Sequence, residues 1–108
     1  MQKGVSSFLL LYLIILLNNI HAQNKIEKAD QLFKNNQYMK SIELYLSILS
    51  NKEQEYINKL GSINELEAFC YYKIGKCYYY WSYFAPAVKN FQKVINNYHD
   101  SKIVIDAT

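Results

Sequence analysis

From Lys25 onward, apolar residues recur every three or four positions with polar ones between them, the pattern of amphipathic helices. Ile26, Ala29, Leu32 and Phe33, interleaved with Lys28, Asp30 and Lys34, predict a first helix over 25–35. Asn35-Asn36 breaks the pattern, since Asn favours turns and left-handed caps. Tyr38, Ile42, Tyr45, Ile48 and Leu49 form the stripe of a second helix over 38–50. So short a connector implies an antiparallel pair. Residues 51–61 are more polar, and a short helix carrying Tyr56, Ile57 and Leu60, ended by Gly61, fits them. Ser62-Ile63-Asn64-Glu65 reads as a capping box, with Ser62 accepting from the Glu65 amide and Glu65 reaching back. A third helix follows over about 63–81, expected to bury Ala68, Tyr71, Ile74, Gly75 and Tyr78. Ser82 is expected to cap a fourth, with Pro86 in its first turn, where a missing amide hydrogen matters little. Its apolar face is Phe84, Ala87, Val88, Phe91, Val94, Ile95 and Tyr98. Asp100 and Ser101 cap the start of one more helix, of which 102–108 is present. No strand-like alternation persists, so the fold class is all-α: about four helices plus a partial fifth.

The second and fourth helices carry one pattern twice. Tyr38-x-x-Ser41-Ile42-x-x-Tyr45-x-x-Ile48-Leu49 matches Phe84-x-x-Ala87-Val88-x-x-Phe91-x-x-Val94-Ile95 at an offset of 46 residues. The preceding helices align as well, Ala29 with Gly75 and Leu32-Phe33 with Tyr78-Tyr79. An internal repeat of this kind marks stacked helix pairs. At these residues the chain resembles the tetratricopeptide repeat (TPR) family. Residues 68–101 supply the large residue Tyr71, Ile74-Gly75 in the Leu-Gly place, Tyr78, Ala87 and the aromatic Phe91. Val94 replaces the family's last Ala, and His99 stands where Pro is usual. Residues 22–55 form a weaker unit, with Ala29 in the Gly place, Ser41 in the Ala place and Tyr45 in the aromatic place. The two units stand 12 residues further apart than direct 34-residue tandem copies, so a longer connector is implied. The ending FQKVINNYHDS also looks like repeats in bacterial envelope proteins, such as the Tol–Pal coordinator and outer-membrane assembly lipoproteins.

The resemblance implies an αα-superhelix of antiparallel helix pairs and a protein- or peptide-binding scaffold. It also implies that first-helix residues face a concave groove. By position these are Phe69, Tyr72, Lys76, Tyr79 and Tyr80 in the stronger unit, and Ile26, Asp30, Phe33 and Lys34 in the weaker. Ile26 and Asp30 occupy places where the family's carboxylate clamp has Lys and Asn, so that clamp is not reproduced. Nine of the sixteen residues from Phe69 to Phe84 are aromatic. Tyr71, Tyr78 and Phe84 read as packing residues, whereas Phe69, Tyr72, Tyr79 and Tyr80 are left for a groove. Trp81 and Tyr83 flank the turn without an assigned role.

The N-terminus changes the picture of where the domain works. Lys3, the ten uncharged apolar residues 8–17 and the small Ala22 before Gln23 have the layout of a secretory signal peptide over 1–22. The apolar run is about half the ~20 residues of a spanning helix. An uncleaved anchor and a buried core segment are the other readings of it. Cleavage after Ala22 leaves a repeat domain over 23–108 with 11 Lys against 9 acidic residues. The chain has no Arg, and its lysines alternate with Glu and Asp, which argues against nucleic-acid readout. Richness in Asn, Lys, Ile and Tyr without Arg fits an AT-rich genome, and with the leader it points to a periplasmic or secreted bacterial envelope protein.

Catalytic chemistry is not expected. The expected mature chain has one histidine, His99, and the pairs Glu53/Glu55 and Glu65/Glu67 are spaced so that their members diverge on a helix. No cofactor or metal site is expected. Cys70 and Cys77 would lie ~10 Å apart along one helix, beyond disulfide reach. Three readings follow: an exported scaffold with a protein or peptide partner, the N-terminal sensor or adaptor part of a larger envelope protein, and a helical segment at a membrane interface. Self-association and further repeats beyond Thr108 are the two ways in which an exposed end would be covered. Because small residues are needed where helices cross, Ala87→Leu is expected to lower the melting temperature clearly, overpacking by about 1–3 kcal/mol. An unchanged thermal melt would contradict the repeat packing.

Overall fold

The computed structural model describes residues 7–15 and 25–107, and among these every regular element is an α-helix. They are α1 (residues 7–15), α2 (Lys25–Lys34), α3 (Tyr38–Asn51), α4 (Gln54–Leu60), α5 (Ile63–Tyr80), α6 (Phe84–Asn97) and α7 (Lys102–Ala107). The four expected helices and the partial fifth are present, with ends within about a residue of their predicted places, and α4 in the polar stretch 51–61 adds one more.

Both hairpin turns use the same device. Between α2 and α3, Asn36 adopts a left-handed φ of 63°, and the amides of Asn36 and Gln37 donate to the carbonyls of Phe33 and Leu32. Between α5 and α6, Ser82 adopts φ 69°, and the amides of Ser82 and Tyr83 donate to the carbonyls of Tyr79 and Tyr78. This is the Schellman pattern, and it recurs at the 46-residue offset of the sequence repeat. Ser82 is therefore not the helix cap expected of it. The N-cap is Tyr83, which makes no side-chain capping bond, just as Gln37 makes none at the start of α3.

Contacts show how the helices run. Phe33 meets Tyr38 and Ala29 meets Ser41, so α2 and α3 are antiparallel. Cys77 meets Ser41, Phe69 meets Tyr45 and Glu67 meets Lys52, so α5 is antiparallel to α3. Phe84 meets Tyr79, Phe91 meets Tyr72 and Tyr98 meets Tyr71, so α6 is antiparallel to α5. The core lies between α2, α3, α4 and α5: Ala29, Ile42, Tyr45, Ile48, Leu49, Tyr56, Leu66, Cys70, Ile74 and Cys77.

Small residues stand at the crossings. A β-carbon on Gly75 would lie 2.6 Å from Cε1 of Phe91. Ala87 is buried in α6, and its counterpart Ser41 is buried in α3. Ser41 Oγ donates to the Ala29 carbonyl at 2.7 Å and accepts from Cys77 Sγ at 3.5 Å, tying three helices at one point.

The longer connector between the units contains α4. Its buried Tyr56 accepts from the Lys25 amide, and Glu53 pairs with the Lys25 ammonium at 3.1 Å, so the connector holds the start of α2. Ser62 caps α5 by accepting from the Glu65 amide. Glu65 does not close the expected box. Its carboxylate accepts from Ser101 Oγ at 2.8 Å and the Lys102 amide at 3.2 Å, and so fastens α7 to α5. Ser101 is the cap of α7, accepting from the Ile103 amide.

Burial departs from the sequence pattern in two ways. α5 buries Leu66, Cys70 and Cys77 as well as Ala68, Ile74 and Gly75, whereas Tyr71 and Tyr78 are only half-buried. The helix has neighbours on several sides, so a wide arc is covered rather than one stripe. Conversely, Phe84, Val88 and Ile95 of α6, expected in its apolar face, are more than half exposed.

In α1 the apolar side chains of residues 8–15 are exposed, and the expected cleavage point at Ala22 lies outside the described residues. Among the described residues no helix is long and apolar enough to cross a membrane. Glycine suits the left-handed turn position better than serine, so Ser82→Gly is expected to stabilise the fold by about 0.5–1 kcal/mol, with a smaller gain for Asn36→Gly because Asn tolerates that conformation. Urea denaturation of the two variants checks this order.

Candidate functional site

Along α5, residues 69, 72, 73, 76, 79 and 80 fall on one face at helical spacing. α2 brings Asp30, Phe33 and Lys34 alongside. At one end, Lys73 Nζ lies 5.6 Å from the Phe69 ring centroid and 4.0 Å from Asp30 Oδ1, and Lys34 pairs with Asp30 Oδ2 at 3.0 Å. In the middle, Lys76 Nζ is 5.5 Å from the Phe33 ring centroid and 5.7 Å from that of Tyr72. At the other end, Tyr80 meets Phe33 edge to face with centroids 5.4 Å apart, and Tyr79 bridges Tyr80 and Phe84. Cation–ring contacts of this kind contribute about 0.5–1 kcal/mol each at exposed sites.

Eight of the nine residues singled out in the sequence thus lie on or beside one stripe. Their exposure divides them. Tyr79 and Tyr80 are 52% and 57% exposed and present free ring surface. Phe33, Tyr72 and Lys76 are half-buried. Phe69 packs against the buried ring of Tyr45, and Tyr72 also touches Phe91. Ile26, carried over with the groove, instead packs against the core. Lys73 is the functional candidate that sequence reasoning missed. It lies four residues after Phe69 and three before Lys76, so helical spacing alone places it on the stripe.

Electrostatics give the stripe a sign. Lys34 and Lys73 face one carboxylate, Asp30, while Lys76 lies over the Phe33 and Tyr72 rings. Burial holds the Lys73 ammonium below its usual pKa, and the neighbouring Lys76 pushes the same way. Beneath the lysines, Phe33, Tyr45, Lys73, Lys76 and Cys77 line a small hollow. Tyr45 is 1% exposed, and its hydroxyl has no hydrogen-bond partner within the described chain. Burial, and then Asp30, raise the pKa of that hydroxyl and keep it protonated as a donor.

The two rings at the turn also find places. Trp81 meets Tyr83 with centroids 4.6 Å apart and stacks near Tyr78, covering the core beside the α2–α3 turn. Among the described residues, no three of His, Cys, Asp and Glu cluster closely enough to hold a metal ion. Comparison of the chain with protein-family models, curated proteins and solved structures finds no match.

Cys70 and Cys77 are free thiols buried within α5. Burial, and then the Glu67 carboxylate, push the Cys70 thiol up to about 12, and burial also raises Cys77. Tyr98 rises to about 12 through burial and Glu67. Each raised pKa means that the folded chain keeps a proton which the unfolded chain gives up sooner. The associated stability is complete below the unfolded value, near 9 for the thiol and 10 for the phenol, and is lost as pH climbs toward 12. Stability is therefore expected to fall above pH ~9, at up to about 1.4 kcal/mol per pH unit for the buried Cys70 thiol and by less for Tyr98, whose partly exposed phenol is screened by water. Denaturation of wild type and Cys70→Ala across that range checks it, the variant showing the shallower dependence. At pH 8 an aromatic disulfide reagent is expected to label neither thiol until denaturant is added.

Proposed function

We propose that this chain is an exported TPR-type scaffold that binds a protein or peptide along the α2–α5 stripe, acting as a binding module and not as an enzyme. The observation that carries this reading is Lys76, whose ammonium sits between Phe33 of the first helix pair and Tyr72 of the second. The residues which the repeat resemblance assigns to a groove are contributed by two units and lie side by side. Two hairpins closed by the same left-handed turn, 46 residues apart, support the repeat reading and with it a superhelical arrangement. The apolar leader sequence supports a periplasmic or secreted location.

Tyr79 and Tyr80 offer rigid rings with polar tips, the side-chain type that dominates binding hot spots. The lysine surplus favours a ligand that carries carboxylates. The ligand class that fits is a segment with acidic side chains alternating with apolar or aromatic ones.

Panning a phage-displayed peptide library on the immobilised full chain tests this. Selected peptides are expected to be rich in Asp, Glu and aromatic residues. Lys76→Ala combined with Tyr80→Ala is expected to weaken them by about tenfold or more, a loss of ~1.4 kcal/mol or greater. Peptides without acidic residues, or affinities unmoved by that pair of substitutions, would overturn the reading.

A further inference from the structure

The repeat pairs Tyr45 of α3 with Phe91 of α6. Both rings pack against α5, Tyr45 on Phe69 and Phe91 on Tyr72 and Gly75. Only the first carries a hydroxyl, so ring packing alone does not call for one. Tyr45 is 1% exposed, and among the described residues nothing accepts from its hydroxyl. A buried donor without an acceptor works against folding, because it has left water and gained no bond in exchange. Water does not make up the loss. The hollow lined by Phe33, Tyr45, Lys73, Lys76 and Cys77 has no room for a water molecule.

The groups around the hollow are committed elsewhere or are donors themselves. Cys77 Sγ donates to Ser41 Oγ. Asp30, whose charge bears on the hydroxyl, is held by Lys34 at 3.0 Å and Lys73 at 4.0 Å. Lys73 and Lys76 offer no acceptor, since an ammonium only donates. Their ammonium groups rest over the rings of Phe69, Phe33 and Tyr72 at the ends of flexible four-carbon stems. The hollow is thus bordered by side chains that move without disturbing a helix.

We infer that Tyr45 is a ligand-binding residue of the α2–α5 stripe: an acidic side chain of the bound segment draws Lys73 and Lys76 toward it, enters between them and accepts the Tyr45 hydroxyl. This rests on the reading of the stripe as a binding site. Three donors then converge on one carboxylate, the phenol from α3 and two ammonium groups from α5. Lys34 remains to neutralise Asp30. Burial, and Asp30 after it, keep the phenol protonated and therefore a donor.

The probe is a synthetic peptide of about ten residues in which Glu alternates with Tyr, long enough to cross the stripe when extended. The control carries Gln in place of Glu. Binding to immobilised full chain is read by surface plasmon resonance, and stability by urea denaturation without peptide. Tyr45→Phe is expected to keep or raise the urea midpoint, since it removes only an unpaired hydroxyl, while weakening the Glu peptide about tenfold or more. The Gln peptide, whose amide accepts a weaker hydrogen bond, is expected to lose less. A lower urea midpoint for Tyr45→Phe would show that the hydroxyl is bonded inside the free chain, and overturns the inference. An equal loss for both peptides would mark a packing change in place of a carboxylate contact, and overturns it too. Binding of the Glu peptide unmoved by Tyr45→Phe but weakened by Lys76→Ala with Tyr80→Ala overturns it while leaving the proposed function standing. A Glu peptide that fails to bind, or binds no more tightly than the Gln peptide, overturns both.

Discussion

The ring of Phe91 lies where a side chain on residue 75 would have to be. Only glycine allows that approach, and much of the structure depends on it. With α6 drawn close to α5, Tyr72 reaches Phe91, Tyr79 reaches Phe84 and Tyr71 stacks near Tyr98. These contacts hold one side of α5 against α6, while its buried Cys70, Ile74 and Cys77 turn toward α3. The arc that remains carries Lys73, Lys76 and Tyr80. The site exists because α5 is packed on two sides and open on a third.

The first crossing uses a different solution to the same problem. Ser41 is small enough for α2 and α3 to approach, and its hydroxyl adds a bond to the Ala29 carbonyl while meeting Cys77. A buried hydroxyl on α3 with partners on α2 and α5 fixes the relative register of the three helices as well as their distance. The longer connector and the C-terminal helix are then attached by polar contacts. Tyr56 and Glu53 hold the start of α2, and Glu65 and Glu67 hold Ser101 and Tyr98. Apolar packing supplies the centre, and carboxylates and hydroxyls fasten the ends.

On the stripe, lysines and rings stabilise one another without neutralising the charge. Phe33, Tyr72 and Phe69 support ammonium groups through their π faces, and Asp30 opposes Lys34 and Lys73 with a full charge. Partial burial would strengthen the attraction of the remaining charge for the acidic ligand proposed, because less water screens it. The open face of α6 has the opposite character. It is apolar, with Phe84, Val88 and Ile95 all more than half exposed.

Much of this was legible in the chain itself. Apolar spacing located the four longer helices from Lys25 on, because burial on one face imposes a 3.6-residue period that no partner is needed to reveal, whereas short α4 was one reading of a polar stretch and α7 was marked by its cap. The repeat also placed Gly75, Ser41 and Ala87 at crossings and grouped Phe33 with Lys76 and Tyr80, since equivalent positions in stacked pairs face the same way. Local signals went astray where a side chain had a competing partner. Glu65 could have closed its own capping box, but Ser101 and Lys102 offer it two donors from α7. Ser82 looks like a cap, yet the turn needs a left-handed residue there. Periodicity says that Val88 and Ile95 are apolar and share a face, as Ile42 and Leu49 do. Whether a face so marked is core or surface depends on which helix arrives to cover it, and only the tertiary structure decides that.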